Sequence, residues 1–179
     1  MLTDKQEEIK LSELFYENVL EGNQTKEVIK VLLEKSGYLV LPYGYESTLS
    51  GLRRRLGEKG TKKSRTVRRI RSSPDLLVYD DEKKDLMLIE VKMRKAKKET
   101  RILIYARMMA NYKDFWNDSF LVVVVPCGNI FYAQRVGELQ VKEEYDATLD
   151  FEKFEDVFTR VKKEDISYFK TKALQIMKA

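Results

Sequence analysis

A chain of 179 residues, 43% of them hydrophobic, is long enough for one buried core and short for two, so we expect a single domain over residues 1–179. The chain has no histidine, which excludes Cys/His zinc sites, Ser-His-Asp and Cys-His nucleophiles, and histidine acid–base chemistry. Carboxylates and lysine remain as the candidate reactive groups, and the single cysteine, Cys127, excludes an intramolecular disulfide.

The single cysteine fits a reducing interior and predicts an intracellular, cytoplasmic protein, and the apolar segments predict no contact with a membrane. The longest uninterrupted apolar run, 120–126, is far shorter than the roughly 18 residues that cross a bilayer. The N-terminal residues do not resemble a signal peptide.

The net charge of +5 is distributed unevenly along the chain. Residues 51–73 contain ten basic residues and one acid, Glu58, a net charge of +9, so that the rest of the chain carries −4. An acidic body with one basic segment is typical of a protein that meets a polyanion at a defined place, although a solvated loop without a partner has the same composition.

The N-terminal third predicts two helices and a strand. Apolar residues near helical spacing predict a helix over 4–20, stopped at 21–23, and a second helix from residue 24 or 25 to 36. Gly37 is placed to cap the second helix, and a strand is expected over 38–41. Residues 45–73 then lose apolar periodicity and predict a long basic excursion, within which 50–58 favour a short helix.

Two apolar runs around a charged turn predict an antiparallel hairpin with strands at 75–79 and 86–92. Helical spacing follows over 99–116, a buried strand is expected at 120–125, and a further strand at 130–134. Helices are expected at 151–160 and 164–177, within a C-terminal helical extension over about 150–179. This order predicts an α/β fold with a mixed sheet.

The hairpin is expected to bring three charged side chains together. Glu90 and Lys92 share one face of the second strand, and Asp75 lies where the first strand begins, beside the end of the second. The two carboxylates and the main-chain carbonyl of Val91 form an oxygen donor set suited to Mg²⁺ or Mn²⁺. Lys92 is suited to orient a water nucleophile and to stabilise negative charge at phosphorus. The alternative is an ordinary surface ion pair between Glu90 and Lys92, worth about 0–1 kcal/mol.

Pro74-Asp75, a hairpin, and Glu90-Val91-Lys92 at the end of an apolar strand resemble the PD-(D/E)XK nuclease superfamily. The preceding helix, Gly37 and strand 38–41 are similar to the opening of archaeal Holliday junction resolvases. The resemblance covers about residues 22–135. It implies a restriction-endonuclease-like core of order αβββαβ, with extra helices at both termini. It also implies a Mg²⁺-dependent endonuclease that hydrolyses DNA, either structure-selective or nonspecific.

The same resemblance implies further site residues. Superfamily members often bring another acid from the first core helix to the metal, and Glu27 is our choice, with Glu34 and Glu21 as alternatives. The helix after the motif often supplies polar groups. Arg101 and Tyr105 are four residues apart and are expected on one face of it, in contact with phosphate or water, although Tyr105 also suits the core.

Nucleic-acid contacts are expected from basic residues in and beyond the excursion. Since residues 51–71 contain no aromatic side chain, we expect phosphate contacts with a steep salt dependence rather than base stacking. The candidate contacts are Arg53, Arg54, Arg55, Lys62, Lys63, Arg65, Arg68, Arg69, Arg71, Lys95, Arg101 and Tyr105, with Arg94, Lys97 and Lys98 extending the positive surface.

Two alternatives to a DNA endonuclease stay open on the sequence. One is a catalytically inactive nucleic-acid-binding module with a nuclease fold, and the other is an RNA-processing nuclease. Cutting both strands of DNA needs two sites, which favours a homodimer with the terminal helices at its interface.

Overall fold

The fold is described from a computed structural model that covers residues 4–45, 64–95, 100–125 and 128–176, with side chains from Leu20 onward. The strands are β1 (Leu39–Pro42), β2 (Leu76–Asp80), β3 (Asp85–Met93), β4 (Arg101–Leu103), β5 (Phe120–Val124), β6 (Phe131–Arg135), β7 (Glu144–Asp146) and β8 (Glu152–Lys153). The helices are α1 (Asp4–Lys35), α2 (Arg65–Arg71), α3 (Ala106–Phe115), α4 (Phe154–Val157) and α5 (Lys163–Ile176), with a 3-10 turn at Val136–Glu138.

One mixed sheet of six strands has the order β1-β2-β3-β5-β6-β8. Only β3 and β5 pair in parallel, with α3 between them in sequence, while the other neighbouring strands pair antiparallel. Strands β4 and β7 form a separate two-stranded sheet. The predictions of an α/β fold with a mixed sheet and of the β2–β3 hairpin are confirmed.

Two hydrophobic clusters cover the two faces of the sheet. On one face, Ile29 and Leu32 of α1 and Phe169 of α5 pack against the strands. On the other, Met109 of α3 and Ile102 of β4 cluster with residues of β5 and β6 that alternate with those of the first cluster. The central strand β5 is buried on both faces, as its continuous apolar run predicts. Within the described ranges, no helix has the length and apolarity that a membrane span needs.

The prediction of two N-terminal helices is wrong, because α1 runs without interruption from Asp4 to Lys35. Gly22 costs about 1 kcal/mol relative to alanine in a helix interior, which the burial of the following turns outweighs. The predicted cap at Gly37 is confirmed: its φ is +87°, and the N–H of Tyr38 donates to the carbonyl of Leu33 at 3.1 Å. This pattern is the Schellman motif.

The predicted helix over 99–116 is wrong in its first part. Arg101–Leu103 form β4, whose exposed–buried–exposed pattern has a period of two, and α3 begins only at Ala106. The partner strand β7 lies in a segment that showed no strand pattern of its own, so pairing between distant segments decides the structure here. The helix expected at 151–160 is reduced to the single turn of α4, while the last helix is confirmed as α5.

The basic excursion contains a helix that the sequence pattern did not predict. Arg65–Arg71 form α2, and the guanidinium groups of Arg65 and Arg68 each lie 5.7 Å from the ring centroid of Phe115. Arg69 lies 5.4 Å from the ring of Trp116. Contacts between cations and aromatic rings therefore hold α2 against the end of α3. The helix expected at 50–58 lies outside the described residues.

Arg160 holds the turn end of the β2–β3 hairpin. Nη1 of Arg160 donates a hydrogen bond of 3.3 Å to Asp80, which is 1% exposed. The same Nη1 also pairs with Asp81. The guanidinium lies 5.1 Å from the ring centroid of Tyr38. A Cβ on Gly37 would clash with Nη2 of Arg160, so glycine gives this side chain room.

Replacing Arg160 with Met is expected to lower the urea concentration at the midpoint of unfolding, because the buried carboxylate of Asp80 loses its cation. The N–H groups of Glu82 and Lys83 still donate to Asp80, which limits the loss. Urea denaturation measures it, with Lys162→Met, an exposed position, as the matched control. Equal midpoints of unfolding for the two variants would contradict this account of the hairpin turn.

Candidate active site

A cleft of about 980 Å³ opens at the end of the sheet where β2 begins and β3 ends. Residues of α1, α2, α3, β3 and the segments around β1 and β2 line it. Asp75, Glu90 and Lys92 all face this cleft, so the structure brings together the three side chains that the hairpin was expected to unite.

Asp75 is held by contacts on both carboxylate oxygens. Its Oδ2 accepts the N–H of Val91 at 3.0 Å, and its Oδ1 lies 2.6 Å from the ammonium of Lys26. Its main-chain carbonyl accepts the N–H groups of Tyr43 and Gly44 at 2.9 and 3.2 Å. These contacts fix the carboxylate beside β3.

Glu90 is almost fully buried, with 3% of its surface exposed. Burial raises the pKa of its carboxyl above the ordinary value, and attraction to the Lys92 ammonium opposes that rise. The Tyr112 hydroxyl donates a hydrogen bond of 2.6 Å to Oε1, which also pairs with Lys92. Burial, together with the charge of Glu90, raises the pKa of Tyr112 well above its ordinary value, which keeps the hydroxyl protonated as the donor.

The main-chain carbonyl of Val91 also faces this region. Because the N–H of Val91 points to Asp75, and the N–H and C=O of a strand residue point to the same side, the carbonyl points there too. The β2–β3 register pairs Leu76 with Ile89, and its continuation puts Pro74 opposite Val91. Proline has no N–H, so Pro74 cannot donate to this carbonyl.

The donor set of the cleft fits a hard divalent cation in its chemistry. Asp75, Glu90 and the Val91 carbonyl offer oxygen ligands, and Mg²⁺ is usually bound by one or two carboxylates with several waters. In the part of the chain that the structure describes, no group of three or more Cys, Asp or Glu side chains is placed to hold a metal. Lys26 and Lys92 balance the two carboxylates here, so a cation would compete with these ion pairs.

The choice of a third acid stays a prediction. Glu27 lines the cleft, but its side chain is 62% exposed and pairs with Lys30 at 3.3 Å. Glu34 approaches the same lysine at 3.9 Å. Glu21 lies 3.8 Å from Lys95, and among the described residues its Oε2 is buried without a hydrogen-bond partner.

The predicted nucleic-acid contacts divide into three groups. Arg68 and Arg71 line the cleft, and Arg65 and Arg69 lie in the same helix, α2. Lys95 is exposed and pairs with Glu21. The remaining basic candidates of the excursion lie outside the described residues; they are Arg53, Arg54, Arg55, Lys62 and Lys63. Lys97 and Lys98 also lie outside the described residues.

The expected pairing of Arg101 with Tyr105 on a helix face is wrong. Arg101 lies in β4, where its guanidinium approaches Glu144 and Asp146 at 3.9 and 3.7 Å. Tyr105 precedes α3 and lines the cleft. Arg94 does not extend an open positive surface, since its Nε donates to the carbonyl of Leu103 at 2.8 Å.

Comparison with protein-family models and with curated proteins gives no match for this chain. The residues of the cleft therefore carry the functional argument.

Sequence reasoning missed several residues that line the cleft, among them Lys26, Arg107 and Tyr112. Tyr112 follows Tyr105 by seven residues, or two helical turns, so helical spacing is a signal that could have found it. Lys26 contacts Asp75 from a different element, and no local pattern indicates that contact.

Replacing Tyr112 with Phe is expected to lower the free energy of unfolding by about 2 kcal/mol. The ring is kept, but the buried Glu90 carboxylate loses a hydrogen-bond donor. Thermal and urea denaturation measure the change, with Tyr168→Phe as the control because that residue is exposed on α5. A Tyr112→Phe protein as stable as this control would show that the hydroxyl does not stabilise Glu90.

Proposed function

We propose that the protein is a metal-dependent nuclease that hydrolyses DNA phosphodiester bonds as an endonuclease, either structure-selective or nonspecific. The observation that carries the proposal is the meeting of Asp75, Glu90 and Lys92 in one cleft. A buried carboxylate beside a second carboxylate is costly for folding, and such groups concentrate at functional sites.

The order of elements supports a restriction-endonuclease-like core. The succession α1, β1, β2, β3, α3 and β5 agrees with the αβββαβ order implied by the resemblance to PD-(D/E)XK nucleases, with α2 and β4 as additions. The motif residues occupy the hairpin within that order.

Asp75, Glu90 and the Val91 carbonyl would hold Mg²⁺ or Mn²⁺. When bound, such a cation activates water and offsets negative charge on the phosphoryl group. Lys92 keeps its ammonium at the cleft through its ion pair with Glu90, where it can orient the attacking water and stabilise charge at phosphorus. Tyr112 and Lys26 hold the two carboxylates in place.

The charge around these residues suits a polyanionic substrate. Among the described residues that line the cleft, six are basic and three are acidic. The basic residues are Lys26, Lys30, Arg68, Arg71, Lys92 and Arg107. Phosphate contacts by such side chains give affinity and position rather than sequence selection.

Cleavage of labelled linear, flap and four-way DNA is expected with Mg²⁺ or Mn²⁺ and is expected to stop when the cation is chelated. Asp75→Asn and Lys92→Met should each reduce turnover at least about a hundredfold, because each removes a group that acts in the transition state. Asp85→Asn is the matched control, an exposed acid in the same hairpin whose carboxylate accepts only the Leu86 N–H among the described contacts.

Each outcome of this assay decides between functions. Salt-sensitive binding without any metal-dependent product would favour the inactive binding module, and cleavage of matching RNA but not DNA would favour RNA processing. Unchanged turnover in Asp75→Asn or Lys92→Met would remove these residues from the mechanism.

Arg71→Gln is expected to weaken DNA binding about equally for unrelated sequences and to reduce the slope of log affinity against log salt by about 1. Arg71 lines the cleft from the end of α2. Fluorescence anisotropy over a salt series measures the slope, with Lys162→Gln, an exposed residue beyond the cleft, as the control. The same slope in both variants would exclude Arg71 as a phosphate contact.

A further inference from the structure

The walls of the cleft differ in chemistry. Helices α1 and α2 contribute cations, among them Lys30 and Arg68. Helix α3 and the residue before it contribute Tyr105, Met108 and Asn111, a surface of aromatic ring, thioether and amide with Arg107 beside it. The spacing of three residues puts Met108 and Asn111 on one face of the helix, and Tyr105, just before the helix, lines the same cleft. The cations of α1 and α2 are suited to bind phosphates, whereas the surface beside α3 is suited to pack against a nucleobase.

Tyr105 is the most informative residue of that surface. Its side chain is 78% exposed although it lines a cleft, so most of the ring is available to a ligand. Its backbone is fixed, because its carbonyl accepts the N–H groups of Met108 and Met109 at 2.8 and 3.1 Å. A tyrosine loses little side-chain freedom on binding, since it has only two side-chain torsions. Single exposed aromatic residues are common on protein surfaces, but this one lines the same cleft as Lys92 and the other cations.

We propose that the cleft binds an unpaired nucleotide whose base stacks on Tyr105, so that the preferred DNA carries a single-stranded end, a flap or a branch point. This proposal rests on the proposed nuclease function and specifies its substrate. In continuous duplex DNA the bases stack on one another and only their edges are open in the grooves, which leaves the ring of Tyr105 no base face to stack on. An unpaired strand offers its bases to aromatic rings and its phosphates to cations.

The geometry of the cleft agrees with this division of contacts. A volume of about 980 Å³ is in the range of sites that enclose a small ligand, which corresponds to roughly one or two nucleotides. Tyr105, Lys30 and Arg68 line the same cleft as Asp75 and Glu90, so a nucleotide held by the first three residues would enter the proposed site of cleavage.

Binding to a fluorescent single strand and to the duplex of the same sequence tests the proposal, measured by anisotropy without divalent cation so that nothing is cut. Tyr105→Ala is expected to weaken binding of the single strand about tenfold and to leave duplex binding nearly unchanged. Tyr105→Phe keeps the ring and should bind like the unchanged protein. Tyr168→Ala, an exposed tyrosine on α5, is the matched control and should have no effect.

A second readout reports stacking itself. A 2-aminopurine base in the single strand should lose fluorescence on binding to the unchanged protein and to Tyr105→Phe, and should keep it with Tyr105→Ala. Equal losses of affinity for strand and duplex in Tyr105→Ala, or quenching that persists in this variant, would overturn the proposal.

The two proposals fail in different ways. Metal-dependent cleavage with no effect of Tyr105→Ala on single-strand binding would retain the nuclease and overturn the stacking. Tyr105-dependent binding of single strands with no cleavage of any substrate would overturn the nuclease and retain the base contact.

Discussion

The carboxylate of Glu90 lies almost entirely out of water, so its charge depends on the few groups that contact it. The ammonium of Lys92 and the hydroxyl of Tyr112 contact it, and Asp75 lies on the neighbouring strand end. A buried ion pair often stabilises a fold no better than apolar residues of the same size, while one unpaired buried charge costs several kcal/mol. Folding alone does not require this arrangement, so a functional role for the cluster is the better explanation.

The position of the cluster follows from how the sheet ends. Strand β2 begins one residue after Asp75. Pro74 has no N–H and cannot continue the hydrogen-bond pairing with β3. The side chain of Asp75 binds the main chain of Val91 there instead, next to the Val91 carbonyl. Helix α3, which connects the parallel strands β3 and β5, brings Tyr112 onto Glu90 and Tyr105 to the mouth of the same cleft. Helix α2 adds cations because its arginines contact the aromatic residues at the end of α3. The contact to Glu90 and the cations and tyrosine proposed to bind the substrate therefore all depend on α3, the helix between β3 and β5.

Features that depend on neighbouring residues in the sequence could be predicted from local patterns. The hairpin followed from two apolar runs around a charged turn, and alternation along β3 put Glu90 and Lys92 on one face. Contacts between distant segments were not predictable in this way. Strand β4 exists because β7 pairs with it, Lys26 reaches Asp75 from α1, and α2 packs on rings 47 to 50 residues later in the chain. The composition of the excursion identifies a basic segment, but α2 is only seven residues long, too short for an apolar period to indicate a helix.

Whether a divalent cation replaces the lysine contact of Asp75 tests the central claim most directly. A crystal structure determined after soaking with Mn²⁺, with anomalous data, is expected to show one peak about 2.1 Å from oxygens of Asp75 and Glu90 and near the Val91 carbonyl. The ammonium of Lys26 should then have moved away from Asp75. An absence of any peak there at saturating Mn²⁺, with Lys26 still paired to Asp75, would contradict the assignment of this cleft as a metal-dependent nuclease site.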